Sequence, residues 1–166
     1  MEENIRRCTG IIIYRKNEES EKYEVCLIQS EKFRQQGTGI LLYHIPGGGI
    51  EEIDYAQIEE TDAEREEKAV EACARRETKE EVDLDLENII LLQEKAKTGV
   101  EMGFKDPTMK FVLYDFMAEG IGTIKIGKEL IHAAWYAFDK LPEPMAPYMR
   151  QLLERAYETR IKYFKK

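Results

Sequence analysis

Apolar residues in the first third of the chain fall into short β-branched runs separated by polar or glycine-rich punctuation. Thr9–Tyr14 (TGIIIY) and Tyr23–Gln29 (YEVCLIQ) predict two strands paired across the polar turn Lys16–Lys22. Ile40–Ile45 predicts a third, stopped by Pro46 and the glycines Gly47, Gly48 and Gly49. Glu51–Glu60 is acidic and has no clear period. Thr61 and Glu64 have the spacing of a capping box and predict a helix from there to about Val82. Ile89–Leu92, Lys110–Phe116 and Ala133–Phe138 are further strand-like runs. From Met145, the residues Tyr148, Met149, Leu152, Leu153, Ala156 and Tyr157 follow helical spacing, which predicts an amphipathic helix over 145–164. Its basic end, Lys162, Lys165 and Lys166, suits a helix C-terminus. Strands, a long helix, more strands and a final helix make an α+β arrangement, with helices packed against a mixed sheet.

A length of 166 residues suits one domain spanning 1–166. Apolar residues make up 43% of it, enough for a core. Thirty-three acids against 25 bases give a net charge of −8, which disfavours docking onto nucleic acid or an anionic membrane surface. A local cationic patch, or a metal bridging acid to phosphate, remains compatible with that charge. No apolar run approaches the length of a membrane helix, and the polar Met1–Arg7 does not read as a signal peptide, so a cytoplasmic location is expected. Cys8, Cys26 and Cys73 are odd in number and widely spaced, which predicts buried free thiols rather than disulfides or a zinc site.

The central helix departs from the usual division into apolar and polar faces. With Glu77 at zero on a wheel of about 100° per residue, Val70, Cys73 and Ala74 lie within about 60° of it. Arg65, Lys68, Glu71, Arg75 and Lys79 lie on the opposite side. Glu80 falls at about −60° and Glu81 at about +40°, so three carboxylates continue the apolar stripe. Unpaired, they would repel one another and resist desolvation. Arg76, four residues before Glu80, supplies one partner. A divalent cation would supply more, and an oxygen-only donor set suits Mg²⁺, Mn²⁺ or Ca²⁺. Mg²⁺ in particular takes one or two carboxylates plus substrate phosphates.

Arg76-Glu77-Thr78-Lys79-Glu80-Glu81-Val82-Asp83-Leu84 resembles the second half of the Nudix box, G-x5-E-x7-R-E-U-x-E-E-x-G-U with U aliphatic. Tyr43 to Glu51 (YHIPGGGIE) is similar to the lead-in of that family, and Trp135–Pro142 (WYAFDKLP) to the strand and turn that follow. The resemblance covers about residues 8 to 142. Counting back from Arg76, the box glycine falls on Asp62 and the upstream acid on Lys68. Roughly fourteen residues therefore stand inserted before the helix, and they are expected as an acidic insertion around 51–64. Thr78 replaces an aliphatic residue. Asp83 replaces the helix-ending glycine, and aspartate tolerates the left-handed conformation.

The resemblance implies an α/β/α sandwich with a mixed sheet and a hydrolase that cuts a pyrophosphate bond in a nucleoside polyphosphate or substituted nucleoside diphosphate, using Mg²⁺ or Mn²⁺. Glu77, Glu80 and Glu81 are the implied metal ligands. Arg76 would orient the carboxylates. The general base is left between Glu80 or Glu81, acting through metal, and Glu129. Gly48, Gly49 and Tyr43 are the implied substrate contacts. The partner is a small nucleotide-type molecule, and a homodimer is a family-level expectation. Tyr43 and Trp135 suit either base stacking or core packing; His44 and His132 suit either phosphate contact or a structural role. Phe104, Lys105 and Asp106 fall in a loop that could shape a pocket. The rival functions are a Nudix-fold nucleotide-binding module without turnover, an acidic helix that binds a basic partner, and an isoprenoid-diphosphate isomerase. The last lacks a convincingly placed cysteine.

Overall fold

The computed structural model describes residues 5–35, 37–102 and 106–164. Its strands are β1 (Ile5–Lys16), β2 (Tyr23–Ser30), β3 (Gly47–Gly49), β4 (Asp85–Thr98), β5 (Lys110–Ile121) and β6 (Leu130–Ala137). Its helices are α1 (Arg65–Val82) and α2 (Met149–Thr159), with single 3-10 turns at Glu31–Phe33, Glu52–Tyr55 and Ile161–Tyr163. The sheet order is β4-β5-β1-β2-β6, with β3 also on β1.

The run of isoleucines in β1 explains the layering. Alternate side chains leave a strand on opposite faces. Ile11 and Ile13 pack with Val70, Ala74 and Val82 of α1, and with Leu84 just after it. Ile12 and Tyr14 pack with Met149, Leu153 and Ala156 of α2 and with Ile161. Ile11, Ile12, Ile13 and Tyr14 are all buried because a helix covers each face. This is the α/β/α sandwich expected. A strand buried on both sides also suits parallel pairing, and β1 runs parallel to β5 from Ile5↔Lys110 to Tyr14↔Glu119. The other flank of β1 is divided. Tyr14–Lys16 pair antiparallel with β2, and Cys8–Gly10 with β3. That division brings the glycine run to the middle of the molecule.

Several expected elements differ. Ile40–Ile45 is not a regular strand, because successive residues bond to different segments. Leu42 N–H donates to Phe33, Tyr43 N–H to Pro144 and His44 N–H to Ile28. Residues 41, 43 and 44 make isolated bridges only. Helix α1 starts at Arg65 with no side-chain cap, so Thr61 and Glu64 do not form the expected capping box. That reciprocal bonding occurs instead between Glu51 and Asp54. Strand β4 is far longer than Ile89–Leu92. It lies at the sheet edge, where charged side chains face water and the apolar period fails. The C-terminal helix is shorter than 145–164, because Tyr148 adopts a left-handed conformation (φ 65°) immediately before it. Cys26 and Cys73 are buried free thiols, whereas Cys8 is half-buried. Lys165 and Lys166, and the loop residues Phe104 and Lys105, lie outside the described residues.

Candidate active site

Arg76 is the hub. Its Nε and one terminal nitrogen grip Asp54 in a fork, at 2.8 and 2.9 Å. The other terminal nitrogen bonds Glu77 at 3.0 Å and Glu80 at 3.2 Å, and a further bond reaches the Gly49 carbonyl at 3.2 Å. A planar guanidinium matches this arrangement as a lysine would not. Its own pKa is raised by the Asp54 bonds. The Asp54 side chain is 2% exposed. Burial pushes its carboxyl up, but Arg76 and the Glu51 N–H outweigh that and hold it below the usual range.

Asp54 was not among the expected site residues, yet a signal for it exists. Counting forward from Gly48 rather than back from Arg76, Asp54 is six places on, where the box has its first acid. The box sets seven residues between that acid and the arginine; this chain has twenty-one, residues 55–75. The segment expected as an acidic insertion therefore contains the main partner of Arg76. Its far end is also tied down. Tyr55 donates to Glu66 at 2.8 Å, and the Arg65 guanidinium stacks on the Tyr55 ring at 4.3 Å.

The three glutamates of α1 are treated differently. Glu77 is half-buried, and desolvation raises its pKa against the pull of Arg76. Gly48 makes room for it: a Cβ at Gly48 would stand 2.5 Å from the Glu77 carboxyl carbon. Glu81 is buried and accepts a 2.8 Å hydrogen bond from Gly47 N–H. Burial drives its pKa to about 7, with the charges of Glu77 and Glu129 adding to the effect and Lys32 opposing it. Glu80 is not on the buried stripe that the wheel placed it on; its side chain is 58% exposed. Asp83 ends the helix in the left-handed conformation, φ 58°. The loop between β5 and β6 closes on the helix end, where Lys125 and Gly127 N–H groups bond the Val82 and Glu81 carbonyls. Glu129 is an exposed residue of that loop, close enough for its charge to act on Glu81.

Glu81 carries a checkable consequence. Its folded pKa lies above the unfolded value, so the folded state holds the proton longer. As pH rises from 4.5 to about 7 the metal-free wild type should lose about 3 kcal/mol that Glu81→Gln keeps. Denaturant midpoints of both proteins between pH 4.5 and 8 measure this; parallel curves would contradict it.

On the α2 face, a cavity of about 590 Å³ is lined by Gly47, Gly48, Gly49, Cys8, Lys32 and His44, among others. Gly48 and Gly49 thus line this cavity, but Tyr43 does not. Tyr43 packs edge-on to Tyr136 at 5.6 Å. His44 stacks on Phe33 at 4.0 Å and pairs with the Ile45 carbonyl, and His132 pairs with Tyr136. Trp135 packs against the α1-side core under the Arg15 guanidinium.

The donor set fits a hard divalent cation: three carboxylates graded from buried Glu81 through half-buried Glu77 to exposed Glu80, with Glu81 hydrogen-bonded to a neutral backbone N–H at Gly47. Among the described residues, no three His, Cys, Asp or Glu side chains stand close enough together to hold a metal. Arg76 draws Glu77 and Glu80 towards itself while Glu81 turns to Gly47.

Fold and site together define a small mixed-sheet domain that presents a glutamate-rich helix beside a glycine strand. The NUDIX domain model matches residues 4–156, and the chain belongs to the Nudix family of hydrolases. Similar solved structures include a MutT NUDIX hydrolase from Burkholderia pseudomallei, at TM-score 0.59 and 22% identity over 90% of this chain and 96% of that one. The NUDIX domain of Shewanella oneidensis NrtR, complexed with ADP ribose, gives TM-score 0.63 at 18% identity over 92% and 86%. A MutT/nudix family protein from Enterococcus faecalis gives 0.67 at 16% identity over 98% and 64%. No curated protein sequence matches significantly.

Proposed function

We propose that this chain hydrolyses a pyrophosphate bond in a nucleoside polyphosphate or substituted nucleoside diphosphate, with Mg²⁺ or Mn²⁺ held by Glu77, Glu80 and Glu81. The observation that carries this reading is Glu81, a carboxylate buried beside the glycine strand and held by the Gly47 N–H at 2.8 Å, where burial pushes its pKa up. A group so costly to ionise suits a site where positive charge arrives with the ligand. The ADP ribose in the NrtR domain supports a small nucleotide-type ligand.

The bound cation would offset phosphate charge and increase the acidity of the attacking water. Arg76 fixes the approach of Glu77 and Glu80, and Gly47 N–H fixes Glu81. Water adds across the P–O–P bridge: its oxygen joins one phosphorus, the bridging oxygen leaves with the other, and a proton is lost to a base. Glu80 or Glu81, acting through metal, and Glu129 are the candidates for that base. The products are a nucleoside monophosphate and a phosphate-bearing remainder, or orthophosphate from a different cut. Free thiols and the absence among the described residues of a helix long and apolar enough to span a membrane support a reducing, cytoplasmic setting.

The test is a phosphate-release screen with Mg²⁺ or Mn²⁺ at mildly alkaline pH. The panel holds nucleoside triphosphates, ADP-ribose, nucleotide sugars and dinucleoside polyphosphates, and phosphatase is added to process monophosphate products. Metal-dependent turnover of one group is expected. Binding without turnover across the panel would overturn the hydrolase reading in favour of a nucleotide-binding module.

A further inference from the structure

The register of the sheet maps the cavity floor. Gly49 pairs with Cys8, Cys8 with Leu113 and Leu113 with Lys95, so these four form one row across β3, β1, β5 and β4. The adjacent row on the same face is Gly47, Gly10, Asp115 and Gln93. Lys97 follows Lys95 on that face, two residues along β4. Each row ends in glycine at the Glu77 and Glu81 side and in β4 at the other. Three strand spacings separate the ends, about 14 Å. That is longer than a single pyrophosphate group.

The β4 end is cationic in a chain of net charge −8. Lys95, Lys97 and, from α2, Arg155 line the cavity there, and Lys32 lines it near the glycines. None of these four makes an ion pair among the described residues. Lys97 lies instead 5.6 Å from the ring centre of Tyr148, and Lys32 lies 5.2 Å from that of Phe33. Tyr148 is 74% exposed and holds a left-handed backbone that a bulky residue rarely adopts. Asp115 is the acid in the same lining, and it already accepts a 2.7 Å bond from Gln93. The charge of Asp115 acts on Lys95 and Lys97, but four cations against this one acid leave the lining net positive, which suits a ligand that brings negative charge.

We infer that Lys95, Lys97 and Arg155 bind a phosphate of the substrate other than the pyrophosphate that is cut. The substrate class is then a nucleoside diphosphate whose remaining half carries its own phosphate, rather than one ending in a neutral sugar. This rests on the hydrolase reading above, but it is tested partly without turnover.

The full chain and the double variant Lys95→Met/Lys97→Met are titrated calorimetrically with inorganic tripolyphosphate in the absence of divalent metal. The Lys95→Arg/Lys97→Arg variant serves as the charge-preserving control. Binding should weaken at least tenfold in the methionine variant and stay within threefold in the arginine variant. With Mg²⁺, the ratio of kcat/KM for a dinucleoside tetraphosphate to that for ADP-ribose should fall at least tenfold in the methionine variant, mostly through KM. No binding by the wild type, a loss under twofold, or an unchanged kcat/KM ratio overturns the inference. If no nucleotide is turned over by the wild type, the hydrolase reading fails and the calorimetry alone decides whether the anion-binding wall exists.

Discussion

Glu81→Gln should lower metal-dependent turnover by about a thousandfold, or about 4 kcal/mol of barrier, and leave the fold at least as stable as wild type above pH 7. The two effects have one origin. The carboxylate is buried, and among the described residues its hydrogen-bond partner is the Gly47 N–H at 2.8 Å. Ionising it there costs folding energy, and glutamine removes that cost without changing the shape of the side chain. The same substitution removes an anionic oxygen from the proposed cation site. Activity and stability therefore move in opposite directions, which a general packing defect would not produce. Glu80→Gln tests the same site at an exposed position, where stability should hardly change. Steady-state rates and thermal melts at pH 8 check both. Near-normal rates in the two variants would remove the carboxylates from the mechanism.

Asp54→Ala should cost about 3 kcal/mol of stability. Asp54 gives Arg76 two of its shortest bonds, and its side chain is 2% exposed, so alanine strands a partly buried guanidinium. Arg76 then keeps Glu77 and Glu80 but loses the anchor that sets its plane. Turnover should drop about tenfold as the glutamates lose their fixed approach. Asp54→Ala combined with Arg76→Met should recover part of the stability and none of the rate. Urea denaturation of the single and double variants measures the coupling. A single-variant loss below about 1 kcal/mol would mean that Arg76 is held mainly by its other partners.

The sequence makes some of this legible and hides the rest for physical reasons. The layered fold follows from the β1 isoleucines and from the α2 stripe, because burial on one face or both leaves a period. The stretch before Pro46 misleads, since its residues bond three different segments in turn and form no ladder. Glu77 and Glu81 are found because they interrupt an apolar stripe. Glu80 shares their sector on the wheel but stands out into water, because the buried Thr78, Glu81 and Val82 place the covered face of the last turn on the side away from it. Asp54 is hidden by the direction of counting: the spacing is intact from Gly48 and broken from Arg76. The cationic wall escapes because its residues come from an edge strand and a distant helix, and the register of four strands is needed to align them.

The way Asp54 and Arg65 bracket the extra residues has an evolutionary and practical consequence. The excursion leaves from a residue clamped by Arg76 and returns at the first residue of α1, which is stacked on Tyr55. Its two ends are therefore fixed by the scaffold, and its interior is free to change length. Doubling such a closed loop costs only about 0.6 kcal/mol in chain entropy. Residues 56–61 thus form a natural port into which foreign sequence can be spliced, with the clamp insulating the Arg76 cluster from whatever is installed there.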